Sequence, residues 1–554
     1  MSKFGRRGEP NSVGYFLLES VEEHPERTFM TGFLNGLPVS RSYAEAAWAV
    51  ANVAAAMRKV GLGKGNTIVT RISDVREAVF LNLACYFAGI VPVRAPGNCS
   101  MQYLSSVFEK IRPDALAISS TDSLREFGND RRILQFDSAH ELLRVDGDLY
   151  TEGTSNVDYF SYLTELNRAI EIDDTLCVVP TSGSTGTPKF IERSHKARIF
   201  GAKLRSFDLT RFSEEPQRVL LLHSLDHGIG CGLLILSLII GGELCTTSLI
   251  DIQALLTEVV QLKPTFAYLA PRVLSNLLSQ SKLENEPELF GGQLRFLLVG
   301  GATADQRVLQ RYADHGVTVV DVYGSTEMGL VAMTTPGEWV PSCVGPLCPG
   351  VEVRFGADGE LFVKAPGSMK GLLGVGADGV GGVISEGFIK SGDLAELDER
   401  GRLRILSRKS DAFQITDGTL VFPTRLEELL ESEPKIRQAI VVGENKPFVS
   451  AFLVVNREVL SVTEEDGFLD RIVYADIYRE YEARIDVLNR GLEPGERVGG
   501  IALFCSPFPS ECYSVRGAAA KLRRGRAEFK SHYSKRIADI YLEGSRLRTD
   551  GGSG

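Results

Sequence analysis

The chain has 554 residues, 44% hydrophobic and 24% charged, with a formal net charge of −10. That length exceeds what one core fills, so two or more domains are expected, and the composition is ordinary for a soluble globular protein. The negative balance argues against a general nucleic-acid or membrane-surface binder. The nine cysteines are scattered. Cys343 and Cys348 are the nearest to a pair, and two ligands do not make a zinc site, so all nine are read as reduced thiols of a cytoplasmic protein.

The first residues, MSKFGRRGEPNS, are charged but lead into no apolar block, so no secretory signal is evident. SYAEAAWAVANVAAAMRKVGLGKG then has the apolar spacing of a helix ending at glycine, and NTIVTRI follows as a strand. VREAVFLNLACYFAGI and VPVRA repeat the pair. The rhythm continues through DALAISS, LCVVP, RVLLLHS, FAYLAPRVLSNLLSQ, LRFLLVGGATADQRVLQRYADHG and TVVDVYG. Such alternation predicts an α/β fold of mostly parallel sheets flanked by helices. Ligands of such folds bind at the carboxyl ends of the strands. The most apolar run, Gly228 to Gly242, is too short and glycine-rich to span a bilayer and is read as a buried helix.

The texture changes beyond about residue 355, where VEVRFGADGELFVK and GDLAELDERGRLRILSRKSD read as β-hairpins with Asp-Gly and Arg-Gly turns. Asp393 is expected in a turn before the second. A smaller α+β unit follows: QAIVVGE and FVSAFLVVN as strands, and one helix over EEDGFLDRIVYADIYREYEARIDVLNRGL. The boundary is drawn at SRKSDAF, giving a large domain over 1–409 and a small one over 410–554.

Residues 180–190, PTSGSTGTPKF, crowd five hydroxyls and two glycines ahead of Lys189. A run of this kind is either a flexible linker or an anion cradle, in which backbone N–H groups and hydroxyls converge on phosphate oxygens. It is not a Walker loop, because Pro188 precedes the lysine and Phe190 follows it. Three more stretches bear on the choice. DVYGSTEMG sets Tyr323, Thr326 and Glu327 just beyond a predicted strand; IKSGDLAELDERGRL holds Asp393; ILSRKSD holds Arg408.

Together, in this order, these stretches resemble the adenylate-forming superfamily: acyl- and aryl-CoA synthetases, adenylation domains of peptide synthetases, fatty acyl-AMP ligases and firefly-type luciferases. The resemblance covers nearly the whole chain. It implies a mobile small domain, ATP and Mg²⁺, and two steps: a carboxylic acid becomes an acyl-adenylate with release of pyrophosphate, and a thiol then displaces AMP. By resemblance, Thr181, Ser182, Gly183, Ser184, Thr185, Gly186, Thr187 and Lys189 wrap the β- and γ-phosphates. Glu327 and Thr181 hold the magnesium, whose hardness suits oxygen ligands. Thr326 touches the α-phosphate, Tyr323 with Gly324 and Ser325 lies by the adenine, and Gly300, Gly301 and Ala302 line the adenine and acid side. Asp393 accepts from the ribose hydroxyls, with Arg408 assisting. The catalytic lysine is Lys521 in RGAAAKLRRGRAEF, where alanines stand in place of the family's Thr/Ser-Gly. Its role is electrostatic. The hinge falls at Ser410 or Asp411.

The acid pocket is expected around His227, Gly228 and Gly301, lined by Ile229 and Leu233, which points to an apolar acyl or aryl acid. His223 is read as a core residue. Asp226 keeps open an amino-acid substrate, because peptide-synthetase domains place an aspartate in this region. The thiol acceptor is coenzyme A or a separate phosphopantetheinyl carrier protein. Arg516, Lys521, Arg523, Arg524, Arg526, Lys530, Lys535 and Arg536 form a basic stretch that suits the phosphates of the one or the acidic surface of the other. An acyl-AMP ligase without thiol transfer and a non-catalytic nucleotide-binding homologue are the remaining alternatives.

Overall fold

The computed structural model describes residues 9–34, 36–96, 99–119, 132–137, 142–146, 148–150, 158–181, 189–206, 216–225, 227–247, 252–271, 273–274, 277, 286–301, 306–340, 343–373, 384–431, 433–455, 468–506, 508–509 and 526–549. Two large sheets of eight and nine strands organise the chain up to about residue 370. In the first, Phe296–Gly300 lies between Phe266–Leu269 and Thr318–Ser325, and Arg218–Leu221, Glu243–Thr246 and Thr28–Leu34 extend the parallel run. Phe296–Gly300 is buried throughout, as befits a parallel strand covered on both faces. The second sheet has a parallel centre of Ile133–Asp137, Ala115–Ser119, Thr67–Arg71, Val91–Ala95 and Thr175–Thr181.

Helix–strand alternation predicts these parallel centres but not the margins. Gly329–Met333 folds back on Thr318–Ser325, Leu37–Ser42 on Thr28–Leu34, and Lys189–Ser194 on Thr175–Thr181, all antiparallel. Each pair is close in sequence, and antiparallel neighbours need no long crossover between them.

The helices begin and end where local chemistry dictates. Ser42 and Glu45 form a reciprocal capping box at the start of Tyr43–Lys59. Asp74 caps Val75–Ala88, which stops at Gly89 in the left-handed conformation. This helix and the predicted buried one, Gly228–Ile240, are apolar on nearly every side. Both contribute to one cluster that also takes Val179 from the second sheet and Leu298 from the first. They therefore lie between the sheets. Among the described residues, no helix is long and apolar enough to cross a membrane.

A third, six-stranded sheet is antiparallel. It contains the two expected hairpins, Glu352–Phe355 with Glu360–Lys364 and Phe388–Leu397 with Arg402–Arg408. Asp393 is not in a turn ahead of the second hairpin: it sits inside Phe388–Leu397, directly opposite Arg408. Gly392 just before it has φ of 71°, yet the strand continues through it.

From Phe413 onward the apolar residues form their own clusters around Ile436–Val442, Val449–Val455 and Val498–Phe504. The long helix expected here begins only at Ala475. Ahead of it, Asp470 accepts from the backbone N–H groups of Ile472 and Val473, and Phe468 bridges to Phe504. Such side-chain-to-backbone bonds offer the chain an alternative to the helix.

Candidate active site

The carboxyl end of Thr318–Ser325 meets the third sheet through Tyr323. The Tyr323 hydroxyl donates to Asp393 Oδ2 at 2.5 Å, and Arg408 Nη1 pairs with Asp393 Oδ1 at 2.9 Å. Asp393 is only 4% exposed. Its backbone N–H donates to Ser391 Oγ at 3.0 Å, and Arg408 also donates to the Ser391 carbonyl at 3.2 Å. Burial, then the neighbouring Asp393 charge, pushes the Tyr323 phenol well above its ordinary value, so it stays a donor. A tyrosine 70 residues away and the arginine across the hairpin thus share one carboxylate.

Tyr323 falls within the strand rather than beyond it, and Thr326 and Glu327 occupy the turn into Gly329–Met333. Glycine is required on both sides of that turn. A Cβ at Gly324 would stand 2.1 Å from the Gly329 carbonyl oxygen; one at Gly329, which has φ of 74°, would stand 2.2 Å from that of Gly367. Ser325 Oγ accepts from Met328 N, and the Glu327 carbonyl accepts from Met369 N at 2.7 Å.

Arg193 fastens this turn to the second sheet. It lies on Lys189–Ser194 and is 2% exposed. It donates through Nη1 to the Thr326 carbonyl at 2.8 Å and through Nη2 to the Gly367 carbonyl at 2.5 Å. Burial, then the charge of Arg198, pushes its pKa down to about 9. The short strand Gly371–Leu372 pairs with Ile191 and Glu192 of the same strand. Sequence reasoning missed Arg193. Its signal was faint: one arginine four residues past Lys189 in an otherwise ordinary strand.

Thr181 and Lys189, the two ends of the hydroxyl-rich stretch, are register partners in adjacent strands of one sheet. A linker between domains would not have its ends paired in this way. Lys189 is exposed. Ser182, Gly183, Ser184, Thr185, Gly186 and Thr187 lie outside the described residues, as do Asp226, Ala302 and Lys521.

On the other side of Thr318–Ser325, Phe296–Gly300 ends at Gly300, where a Cβ would meet the Val322 carbonyl oxygen at 2.6 Å and the Tyr268 hydroxyl at 2.9 Å. Gly301 follows with φ of 86°. His227 stands at the N-terminus of Gly228–Ile240 without capping it, its Nε2 buried. Burial, then the fields of His223 and Arg94, pushes His227 down to about 4, so the ring is neutral near pH 7. His223 is the expected core residue, hydrogen-bonded through Nε2 to the Tyr268 carbonyl at 3.1 Å. Ser410 and Asp411 are joined by a hydrogen bond of 3.0 Å just past Arg408.

Part of the basic stretch is committed inside the small unit. Arg526 pairs with the fully buried Glu427 at 2.7 Å and also donates to the Val441 carbonyl, and Lys530 pairs with Glu444 at 2.5 Å. Arg526 is therefore not the free surface cation that the sequence suggested, because a buried carboxylate demands a paired cation.

The donor set suits magnesium bound chiefly through phosphate oxygens and water. Among the described residues, no group of three or more histidine, cysteine, aspartate or glutamate side chains is placed to cage a metal. Mg²⁺ ordinarily needs only one or two protein carboxylates beside a triphosphate, and the half-buried Glu327 at the tip of its turn can supply one.

Residues 17–373 match the model of a family described as AMP-binding enzyme, and residues 411–545 match that of the AMP-binding enzyme C-terminal domain. The long-chain-fatty-acid–CoA ligase FadD15 of Mycobacterium tuberculosis is 24% identical over 89% of this chain and 91% of its own length. The 2-succinylbenzoate–CoA ligase of Bacillus licheniformis is 27% identical over 70% of this chain and 78% of its own. Among solved structures, o-succinylbenzoate CoA synthetase (MenE) from Bacillus subtilis, in complex with the acyl-adenylate OSB-AMP, superposes with a TM-score of 0.68 at 21% identity, covering 94% of this chain and 98% of that one. ATP-bound MatB from Rhodopseudomonas palustris gives 0.70 at 19% identity, covering 94% and 99%. At these identities the structural likeness is one of fold.

Proposed function

The chain belongs to the AMP-binding enzyme family, and from that premise we propose that it is an ATP-dependent, AMP-forming ligase joining a carboxylic acid to a thiol. In the first step a carboxylate oxygen attacks the α-phosphorus of ATP, the bond to the β-phosphate breaks, and pyrophosphate leaves. In the second a thiolate sulfur attacks the acyl carbon and AMP departs. Coenzyme A is the acceptor we favour. The observation that carries this reading is the meeting of Tyr323, Arg408 and Asp393 on one buried carboxylate beside the Glu327 turn.

In this reading Asp393 accepts from the ribose hydroxyls, oriented by Tyr323 and Arg408. The Tyr323 ring, Gly324, Ser325, Gly300, Gly301 and Ala302 bound the adenine. Ser182–Thr187 and Lys189 surround the outer phosphates, and Thr326 meets the α-phosphate. Glu327 and Thr181 would hold Mg²⁺, which when bound neutralises triphosphate charge. Lys521 brings its cation from the small domain to the reacting carboxylate and α-phosphoryl oxygens, and the chain swings at Ser410 or Asp411 between steps. Neutral His227 closes the acid side without adding charge there.

A carrier protein as alternative acceptor is left with fewer docking cations, since Arg526 and Lys530 already have acidic partners. The test is acid-dependent exchange of pyrophosphate into ATP across fatty, aryl and amino acids, followed by addition of coenzyme A or carrier protein. Exchange with at least one acid and thioester formation with coenzyme A are expected. Silence with every acid overturns the reading.

A further inference from the structure

We infer that the acid activated here carries a second carboxylate, received by Arg198 and Arg205; this rests on the ligase reading and names its substrate class. The two arginines lie seven positions apart on the helix His195–Ser206, two turns along one face. That face looks onto the glycine side of Gly228–Ile240. Arg198 Nη1 donates to the Gly228 carbonyl at 3.2 Å, and Arg205 Nη1 to the Gly201 carbonyl of its own helix at 3.2 Å. A Cβ at Gly228 would stand 3.4 Å from Arg198 Nη1, and one at Gly232 would stand 3.3 Å from Arg205 Nη1. The glycines therefore make room for the guanidinium groups.

The pair borders the acid side of the site. The Arg205 guanidinium stands 5.8 Å from the centre of the Tyr268 ring, and the Tyr268 hydroxyl lies against Gly300. His227 immediately precedes the glycine to which Arg198 donates.

What distinguishes the pair is that neither has an acidic partner among the described residues and that Arg198 keeps a buried terminal nitrogen idle. Arg198 Nε and Nη2, Arg205 Nε and His227 Nε2 are buried without a hydrogen-bond partner among the described residues. An idle Nε is shared with Arg94 and Arg526, but both terminal nitrogens of those two are engaged: Arg94 donates to the Leu225 carbonyl, Tyr86 and Cys231, and Arg526 holds Glu427 in a two-point pair. Neither Arg198 nor Arg205 forms an ion pair among the described residues. Burial, joined by the charge of Arg198, lowers the Arg205 pKa. Space-filling alone would be met by leucine or methionine at no charge cost. Two neighbouring cations with idle N–H groups fit a planar carboxylate, which guanidinium groups bind through paired hydrogen bonds.

The test compares monocarboxylic acids with the same acids carrying a distal second carboxylate: octanoate with octanedioate, and benzoate with terephthalate. Pyrophosphate exchange should favour a diacid by roughly 10-fold or more in kcat/KM. Arg198→Met and Arg205→Met should bring that ratio down toward one, with Arg198→Lys and Arg205→Lys as less disruptive versions. Equal or better use of the monoacids by the unaltered protein overturns the inference. So does a rise in the KM for ATP that is the same for every acid, which would assign the arginines to the triphosphate. Should no acid support exchange, the ligase reading fails by itself. Calorimetric titration of the same acid pairs then decides this inference: tighter binding of a diacid supports it, and no preference overturns it.

Discussion

Tyr323 and Asp393, 70 residues apart, are joined by a hydrogen bond of 2.5 Å that links the last but one strand of the first sheet to the antiparallel third. Nothing in either local sequence calls for the other, and Arg408 reaches the same carboxylate from the facing strand. The bond orients the group assigned to the ribose and shields its charge.

Tyr323→Phe removes that donor and leaves the ring. A hydrogen bond to a charged group contributes about 1.5–3 kcal/mol, so the KM for ATP should rise roughly 10-fold or more, with kcat less affected. Asp393→Ala should lose far more. Steady-state kinetics with ATP varied decides the matter: an unchanged KM in Tyr323→Phe would remove the tyrosine from the nucleotide site.

Lys521→Ala should slow adenylate formation by 100-fold or more, because a preorganised cation at the reacting phosphoryl group contributes on the order of 3 kcal/mol. Transfer from a chemically prepared acyl-adenylate to coenzyme A should continue. If both half-reactions fall together, the lysine is structural; if neither falls, the alanines before it mark a lysine that has lost the role.

Arg526→Glu should unfold the small domain rather than impair docking of a partner. It sets a second acid against Glu427, whose side chain is fully buried, and breaking such a pair costs about 3–5 kcal/mol. Arg523→Glu, outside the described residues, serves as the comparison. A drop in melting temperature of several degrees confined to Arg526→Glu is the expected result, read by circular dichroism. Equal melting of the two variants would contradict it.

Acid should weaken the fold well above the carboxylate range. Burial pushes both His195 and His227 down to about 4 from 6.5. The unfolded chain therefore binds protons that the folded one refuses. The stability from this source is fully present above pH 6.5 and is lost as pH falls toward 4, by up to about 1.4 kcal/mol per unit per histidine. His195 Nδ1 accepts from the Val13 backbone N–H at 3.0 Å, a bond its protonation would forbid. Urea midpoints at pH 7.5, 6.5 and 5.5 should fall more steeply for the unaltered protein than for His195→Gln. Identical slopes would refute the assignment.

Elements whose pattern is carried by neighbours in sequence were legible. The buried Gly228–Ile240 helix, the capped Val75–Ala88 helix and the parallel strands all follow from local apolar spacing and end signals. Tyr323, Glu327, Asp393 and Arg408 were singled out through a family resemblance, and alone each reads as an ordinary polar residue. What escaped was set by tertiary partners. The place of Asp393 within a strand depends on Arg408 across the ladder, and the late start of Ala475–Asn489 on the side chain of Asp470. Arg193, Arg198 and Arg205 look like routine surface cations until burial removes the solvent from them. No periodicity in the sequence reveals that.

The planar head of Arg193 clasps carbonyls from two segments some forty residues apart, Thr326 and Gly367, while its own strand begins at Lys189. A single rivet therefore joins the Glu327 turn, the strand that starts at Lys189 and the approach to the third sheet. Loosening it would let three walls drift at once, so nucleotide grip and heat resistance should decline in step. The ground beneath the Glu327 turn is thus one casting rather than three separate parts.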